Sequence, residues 1–283
     1  MKVLINLLKF IFITILTICL IALGAITIAS STVLDKSYVI QKLEETDFYS
    51  GTYKLVESNF ENYIYQSGLD EEVLKSICTE DKVKNDINIM LSNIYDGTNK
   101  TIDTTEISTN LNENIDKLGI KTKQNENAIN EFVDHICNEY TDTLVHSKYE
   151  NQINDVYKKA INGLNKIYNA LLIVLAVDFI IILAINNKKV SKDLQDFGIT
   201  LMATSIFGIA GCQIVQAKVN IQGIKVFNDV FSNSLVTIIQ DVFNKLTSLS
   251  VGLLVIAIIV IAIYSAIKAN KSTKENIETG REM

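Results

Sequence analysis

The chain has 283 residues, a net charge of −6 and 48% hydrophobic side chains. The hydrophobic residues are concentrated in blocks, which indicates membrane-spanning segments rather than a single water-soluble globule. The acidic residues are concentrated in residues 32–166, with 24 Asp plus Glu against 14 Lys, a net of −10. This charge disfavours nucleic acid as a partner.

Four windows of about 19 residues are long enough, at about 1.5 Å per residue, to cross a hydrocarbon core of about 30 Å. They are residues 10–28, 167–185, 197–215 and 249–267. Lipid offers the backbone no hydrogen-bond partner, so each window is expected to be a continuous helix. The sequence therefore predicts four transmembrane helices in an all-α protein whose partner is the lipid bilayer.

The first window has a second interpretation, as a cleaved signal peptide. Thr27 and Ala29 in "TIASS" occupy the small-residue positions before a cleavage site. The apolar region is longer than the roughly 7 to 15 residues usual for a signal peptide, so we favour an uncleaved anchor.

Basic residues flank the windows at alternate ends, and cytoplasmic loops carry an excess of Lys and Arg. The clusters are Lys2 and Lys9; Lys188, Lys189 and Lys192; and Lys268, Lys271, Lys274 and Arg281. We expect all three clusters, and both termini, to be cytoplasmic. Residues 32–166 and a short segment, 216–248, are then extracytoplasmic, and the remaining spans and tail occupy 167–283.

The outer domain, residues 32–166, reads as a series of helices. "SYVIQKL" is expected to continue the first membrane helix outward, and residues 47–66 predict a helix that ends at Ser67-Gly68. Apolar spacing predicts a further helix capped by Thr79 and ending at "YDGTNK". Another occupies residues 104–118, opened by a capping box of Asp103 and Glu106 and closed by Gly119. The fourth predicted helix covers about residues 125–146. The fifth begins at about Tyr149 and continues into the second span.

The short outer segment predicts an amphipathic helix at about 224–246 that leads into the fourth span. Its apolar positions are Val226, Phe227, Val230, Phe231, Leu235, Ile238, Ile239, Val242, Phe243 and Leu246. The polar face lacks the basic residues of a lipid-surface helix, so we favour packing against the other helices.

Asp178 is the only charged residue in the four windows, and an ionised carboxylate there costs about 2.5 to 3.5 kcal/mol on insertion scales. The third window offers polar side chains as compensation: Thr204, Ser205, Gln213 and, just beyond it, Gln216. Thr204, Gly208 and Cys212 also form a small-residue stripe that permits close helix approach. One interpretation makes Asp178 a proton or cation site in a small transporter or relay. The other, favoured because no second intramembrane charge is present, makes it a hydrogen-bond donor that fixes packing.

The outer domain contains two further groups of candidate site residues. His135, Glu139, Asp142 and His146 form one polar stripe on a predicted helix. The stripe resembles metal-ligand spacing, but it lies away from the buried face and is more typical of a solvated surface, so no metal is expected. Cys78 and Cys137 form either a disulfide or two buried free thiols.

No phosphate-binding loop, zinc motif or nucleophile elbow is present in the sequence, so no cofactor and no catalytic residue are predicted. A membrane hydrolase or acyltransferase using His135 or His146 is disfavoured by distance from the predicted membrane surface. The leading hypothesis is a non-enzymatic envelope protein whose outer domain binds or senses a partner such as another envelope protein. The alternative is the transporter or relay centred on Asp178.

The segments "SYVIQKLEETDFYSGTY" and "YIYQSGLDEEVLKSI" follow the first window. With this order of spans, they resemble a group of uncharacterised membrane proteins from low-GC Gram-positive bacteria. The resemblance implies one anchor, an extracytoplasmic helical domain and three C-terminal spans. It implies no catalytic residues.

Overall fold

The computed structural model describes residues 2–144, 150–187, 189–226 and 228–279, and these residues form helices and connecting turns without a strand. The helices are α1 (Lys2–Ser30), α2 (Lys36–Glu45), α3 (Phe48–Ser67), α4 (Glu80–Tyr95), α5 (Thr105–Lys117), α6 (Glu126–Leu144), α7 (Glu150–Ile185), α8 (Val190–Lys218) and α9 (Asp229–Thr279). Two 3₁₀ turns lie at Glu71–Leu74 and Ile221–Gly223. The all-α prediction is confirmed for this part of the chain.

Four helical segments are long and apolar enough to cross a membrane: Val3–Ser30, Ile153–Ile185, Val190–Gly223 and Asp229–Asn270. Each contains one of the four predicted windows, so the prediction of four candidate spans is confirmed. Large apolar side chains on these helices are exposed, among them Phe10, Ile180 and Phe207. Such exposure is expected where the surrounding solvent is hydrocarbon.

The chain divides into two compact units. The membrane unit comprises Met1–Thr32, Asn162–Ile224 and Ile239–Met283. The acidic unit comprises Val33–Ile161 and Lys225–Ile238. Two helices, α7 and α9, contribute residues to both units.

The acidic unit has one apolar core, built mainly from the inward faces of α2 to α6 and from the segment 71–78 between α3 and α4. Its most deeply buried side chains are Val56, Ile64, Val73, Ile77, Val83, Ile107, Leu111, Ile115, Ile136 and Tyr140. Local signals set the helix ends: Thr79 accepts a hydrogen bond from the Lys82 amide at the start of α4, and Gly68 ends α3 with a φ of 72°. Both were predicted.

Two predicted helix starts are wrong. "SYVIQKL" does not continue α1, because Asp35 accepts a hydrogen bond from the Tyr38 amide and begins the separate helix α2. Asp103 does not form the capping box with Glu106. Its carboxylate accepts from the Thr105 amide instead, and Thr104 occupies the N-cap position of α5.

The amphipathic segment before the fourth span begins its helix at Asp229, after the 3₁₀ turn, rather than at about 224. The Phe231 ring packs edge-on against Phe48 of α3, with centroids 6.2 Å apart, and Ile238 joins the apolar core. The helix then runs without interruption into the fourth candidate span. Phe227, part of the predicted stripe, lies outside the described residues.

Candidate functional site in the membrane unit

Asp178 lies on the buried side of α7. Its side chain and that of Ile182, one turn later, are 3% and 4% exposed, whereas Ile180 between them is 64% exposed. The Asp178 Oδ2 atom has no hydrogen-bond partner among the described residues. A buried polar atom without a partner is costly, so this carboxyl group is unusual in the fold.

The polar residues predicted to accompany Asp178 fall into two groups on α8. Thr204 and Ser205 are buried, and Gln213 and Gln216 are exposed. The Ser205 hydroxyl donates to the Leu201 carbonyl at 2.7 Å, whereas the Thr204 hydroxyl has no partner in the described part of the chain. Among its described residues, the membrane unit thus buries two unpartnered oxygens, on Asp178 and Thr204.

A second polar cluster at one end of the spans was not predicted. The Lys9 Nζ atom of α1 lies 2.7 Å from Oδ2 of Asp196 on α8. The Asn186 amide, just after α7, donates to the same oxygen at 2.6 Å and to Oδ1 of Asp193 at 2.9 Å. Asn186 and Asp196 are both 3% exposed. The cluster therefore joins three membrane segments through buried polar contacts.

The sequence contained a signal for this cluster. Asp193 and Asp196 stand at the start of α8 between the second and third windows, where basic residues otherwise dominate. From the sequence alone, Lys9 indicates only the orientation of the first span. Its pairing with Asp196 depends on which helices meet, and periodicity along one chain segment does not contain that information.

The small-residue stripe on α8 lies where α9 passes close by. A Cβ atom at Gly208 would collide with the Ser250 hydroxyl, and one at Gly24 of α1 would lie 3.1 Å from Leu249. An apolar groove of about 240 Å³ runs beside these contacts, lined by residues of α1, α8 and α9, including Thr204 and Gly211. The predicted role of the stripe in close helix approach is consistent with this packing.

Of the predicted histidine stripe in the acidic unit, the structure describes His135, Glu139 and Asp142. No group of three metal-ligating side chains is present in the described residues. The exposed His135 ring instead stacks on Tyr63, with centroids 3.9 Å apart and an interplanar angle of 21°. Glu139 and Asp142 lie on the same helix, and His146 lies outside the described residues.

Cys78 and Cys137 are free thiols, so the bridge offered as one alternative is not present in this structure. The Cys78 thiol lies 3.7 Å from the Thr79 carbonyl and the Cys137 thiol 4.0 Å from the Thr104 carbonyl. Burial raises the pKa of Cys78 to about 11, because a thiolate loses its hydration in the apolar core. At neutral pH this thiol is therefore unreactive.

The core of the acidic unit also contains a charged group that the apolar pattern did not reveal. Asp86, 2% exposed, accepts a hydrogen bond from the Tyr140 hydroxyl at 2.6 Å and lies 3.1 Å from Lys82 Nζ. Burial, followed by this hydrogen bond, raises the pKa of Tyr140. Asp86 and Tyr140 are buried, Lys82 is partly buried, and the three are paired with one another, which is typical of a structural role.

Comparisons with protein-family models, with curated proteins and with solved structures find no match to this chain. The class of protein rests on the structure itself: four helices of the described residues have the length and composition of membrane spans, as in a multi-pass membrane protein.

Proposed function

We propose that the protein is a non-enzymatic component of the bacterial cell envelope whose acidic unit lies outside the cytoplasm and binds or senses a partner. One observation carries the proposal: α9 is a single helix whose first turns belong to the core of the acidic unit and whose remainder is a candidate span. A partner that shifts the acidic unit thereby acts on a membrane helix.

The contacts at the start of α9 support this coupling. Val230 packs so closely on Gly51 that a Cβ there would lie 2.8 Å from its Cγ1 atom. The Ser234 hydroxyl lies 2.8 Å from that of Thr46. With Phe231 against Phe48, α9 is held by both apolar and polar contacts, so it moves with α2 and α3 rather than sliding past them.

The proposed orientation follows from the basic clusters around the spans. It is tested by adding trypsin to intact cells that express the full chain with a C-terminal tag. We expect cleavage within the Lys-containing acidic unit and protection of the tag until the cells are lysed. Loss of the tag in intact cells would reverse the orientation.

Partner binding is tested by placing a photo-crosslinking residue at Tyr65, which is 89% exposed on α3. The matched control carries it at Ile180, an exposed position of a candidate span. We expect a reproducible crosslinked protein from Tyr65, reduced by excess unlabelled protein and absent from Ile180. A survey over Tyr65 and Leu118 that yields no such product counts against a partner-binding unit.

A second candidate function, an ion-coupled relay, is favoured by one observation, the buried Asp178 oxygen without a hydrogen-bond partner among the described residues. Intramembrane carboxyl groups that serve such functions face the helix bundle, as Asp178 does.

A further inference from the structure

We propose that a polar pocket at the C-terminal end of α8 binds a neutral hexosyl group, and that this sugar is the head group of a membrane glycolipid. The proposal concerns the membrane unit alone. It does not depend on partner binding by the acidic unit.

The pocket has a volume of about 590 Å³ and is lined by residues 216–222 and by two residues of α9, Gln240 and Asn244. All of these residues belong to the membrane unit. Gln240 and Asn244 are four residues apart, so they lie on one face of α9. The volume is within the range of roughly 300 to 1,000 Å³ that is usual for pockets binding small organic groups.

The side chains around this pocket are rich in unused hydrogen-bonding groups. Four amides make no hydrogen bond to another described residue: Gln216, Gln222, Gln240 and Asn244. By contrast, the Asn220 side-chain oxygen accepts from the Gly223 amide at 3.1 Å and holds the 3₁₀ turn. Each unused amide offers an NH₂ group that donates and an oxygen that accepts. The pocket therefore presents donors and acceptors side by side.

The backbone at the end of α8 adds acceptors to this set. The Val219 amide donates to the Val215 carbonyl, but no backbone amide of the described residues donates to the carbonyl groups of residues 216–218. Such carbonyl groups give a helix C-terminus a partial negative charge. Lys218, in the last turn, offsets that charge. The pocket is therefore close to neutral.

This chemistry suits hydroxyl groups, because each hydroxyl both donates and accepts. A phosphate or carboxylate group only accepts and is bound best by several cationic donors, whereas here it would meet one lysine and a helix C-terminus. A cationic group would find no counter-charge, since the described lining residues include no Asp or Glu. A neutral sugar ring with several hydroxyls is the group that uses both kinds of hydrogen-bonding partner.

The position of the pocket along α8 identifies a lipid as the source of the sugar. Asp196 and Gln216 are 20 residues apart on α8, which corresponds to about 30 Å. A hydrocarbon core is also about 30 Å thick. Since Asp196 meets Lys9 at one end of the spans, the pocket lies at the level of the head groups at the other end. Val219, 46% exposed beside the amides, gives the same pocket an apolar edge.

The proposal is tested by native mass spectrometry of the full chain, released from a detergent that has no sugar head group. The probes are a monoglucosyl diacylglycerol, the same diacylglycerol without sugar, phosphatidylglycerol and soluble methyl glucoside. We expect the glucosyl lipid to bind about tenfold more tightly than the other lipids, or better, and methyl glucoside to bind more weakly. No preference for the glucosyl lipid over diacylglycerol, or tighter binding of phosphatidylglycerol, would overturn the proposal. Methyl glucoside that binds as tightly as the glucosyl lipid would overturn the lipid source.

Substitutions of the amides separate the pocket from general lipid binding. Gln240→Met combined with Asn244→Leu removes two amides with little change of volume, and the affinity for the glucosyl lipid should fall about tenfold. The matched control is Gln213→Met, at an exposed position of α8 outside the pocket, which should bind as wild type does. Equal losses in both would contradict a role for the pocket. Thermal melting in detergent checks folding, and Gln216→Met with Gln222→Met repeats the test on the opposite wall.

Lys218→Met distinguishes a neutral ligand from an anionic one. Because a hexosyl group carries no charge, this variant should retain nearly all of the affinity for the glucosyl lipid. A loss as large as that of the double amide variant would identify an anionic ligand and overturn the proposal.

Discussion

Tyr140 donates a 2.6 Å hydrogen bond to Asp86 inside the core of the acidic unit. Lys82 approaches the same carboxylate from one turn earlier on α4, and its Nζ atom also donates to the Asp103 carbonyl at 2.7 Å. A carboxylate in an apolar core is tolerated when its partners replace water. The hydrogen bond between Tyr140 and Asp86 therefore links α6 to α4 through one buried carboxylate.

Tyr140→Phe should lower the free energy of unfolding of the acidic unit by about 1.5 to 3 kcal/mol, the usual value of a hydrogen bond to a charged group. The measurement is urea unfolding of the full chain in detergent, followed by tyrosine fluorescence. Nine of the 11 Tyr residues lie in residues 32–166 and the chain has no Trp, so the signal reports this unit. Tyr65→Phe, at an exposed position, is the control. Equal effects at both positions would refute a stabilising role for the hydrogen bond.

Gly51→Ala should destabilise the acidic unit by about 1 to 3 kcal/mol, because the new methyl group overlaps Val230. Adding Val230→Ala should restore much of the loss by removing the overlapping atoms. Gly163→Ala is the control, since its Cβ would meet nothing within 4 Å. Gly163 belongs to the membrane unit, so this substitution should leave the stability of the acidic unit unchanged. Failure of the double variant to recover stability would show that the contact is not the cause.

Lys9→Met should destabilise the membrane unit, because it leaves the buried Asp196 without its cation. Breaking a buried pair on one side costs about 3 to 5 kcal/mol, whereas an exposed pair contributes less than about 1 kcal/mol. The control is Lys117→Met, which removes the exposed partner of Glu113. Thermal melting in detergent by circular dichroism should show a clear decrease for Lys9→Met and little change for Lys117→Met. A decrease limited to the control would contradict the buried pair.

The cysteines give a prediction that depends on pH. The folded-state pKa of Cys78, about 11, is above its ordinary value of 9.0. The folded chain therefore favours the thiol, and this contribution to stability is complete below about pH 9 and is lost as the pH rises towards 11. Alkylation at pH 8 should modify the half-buried Cys137 faster than Cys78, as read by peptide mass. A mass increase of about 2 Da on reduction before alkylation would instead reveal a disulfide.

Local sequence signals account for much of the fold. The apolar windows, the Thr79 cap and the stop at Gly68 each depend on residues within one or two turns, and all are observed. The sequence does not predict the start of α2, because the apolar pattern continues past Asp35 and hides its role as the N-cap. Propensity is a weak guide where a cap begins a new helix.

The sites were harder to predict because they depend on which helices meet. Asp178 was identified from its position alone, since a carboxyl group in an apolar window is improbable without a role. Asp86 and Asp196 have ordinary sequence surroundings, and their burial arises from Tyr140 and from Lys9, 54 and 187 residues away in the chain. Only the assembled fold brings these partners together.

The shared helix α9 also fixes an order of assembly during synthesis. Residues 33–161 leave the ribosome before α8, but the segment Lys225–Ile238 that completes their core is made only afterwards. Until then, the surface that receives Val230 and Phe231 remains uncovered. A nascent or truncated chain that ends before residue 225 therefore presents an incomplete core to chaperones and proteases, and the helix that contains the fourth candidate span is also the element that completes the acidic unit.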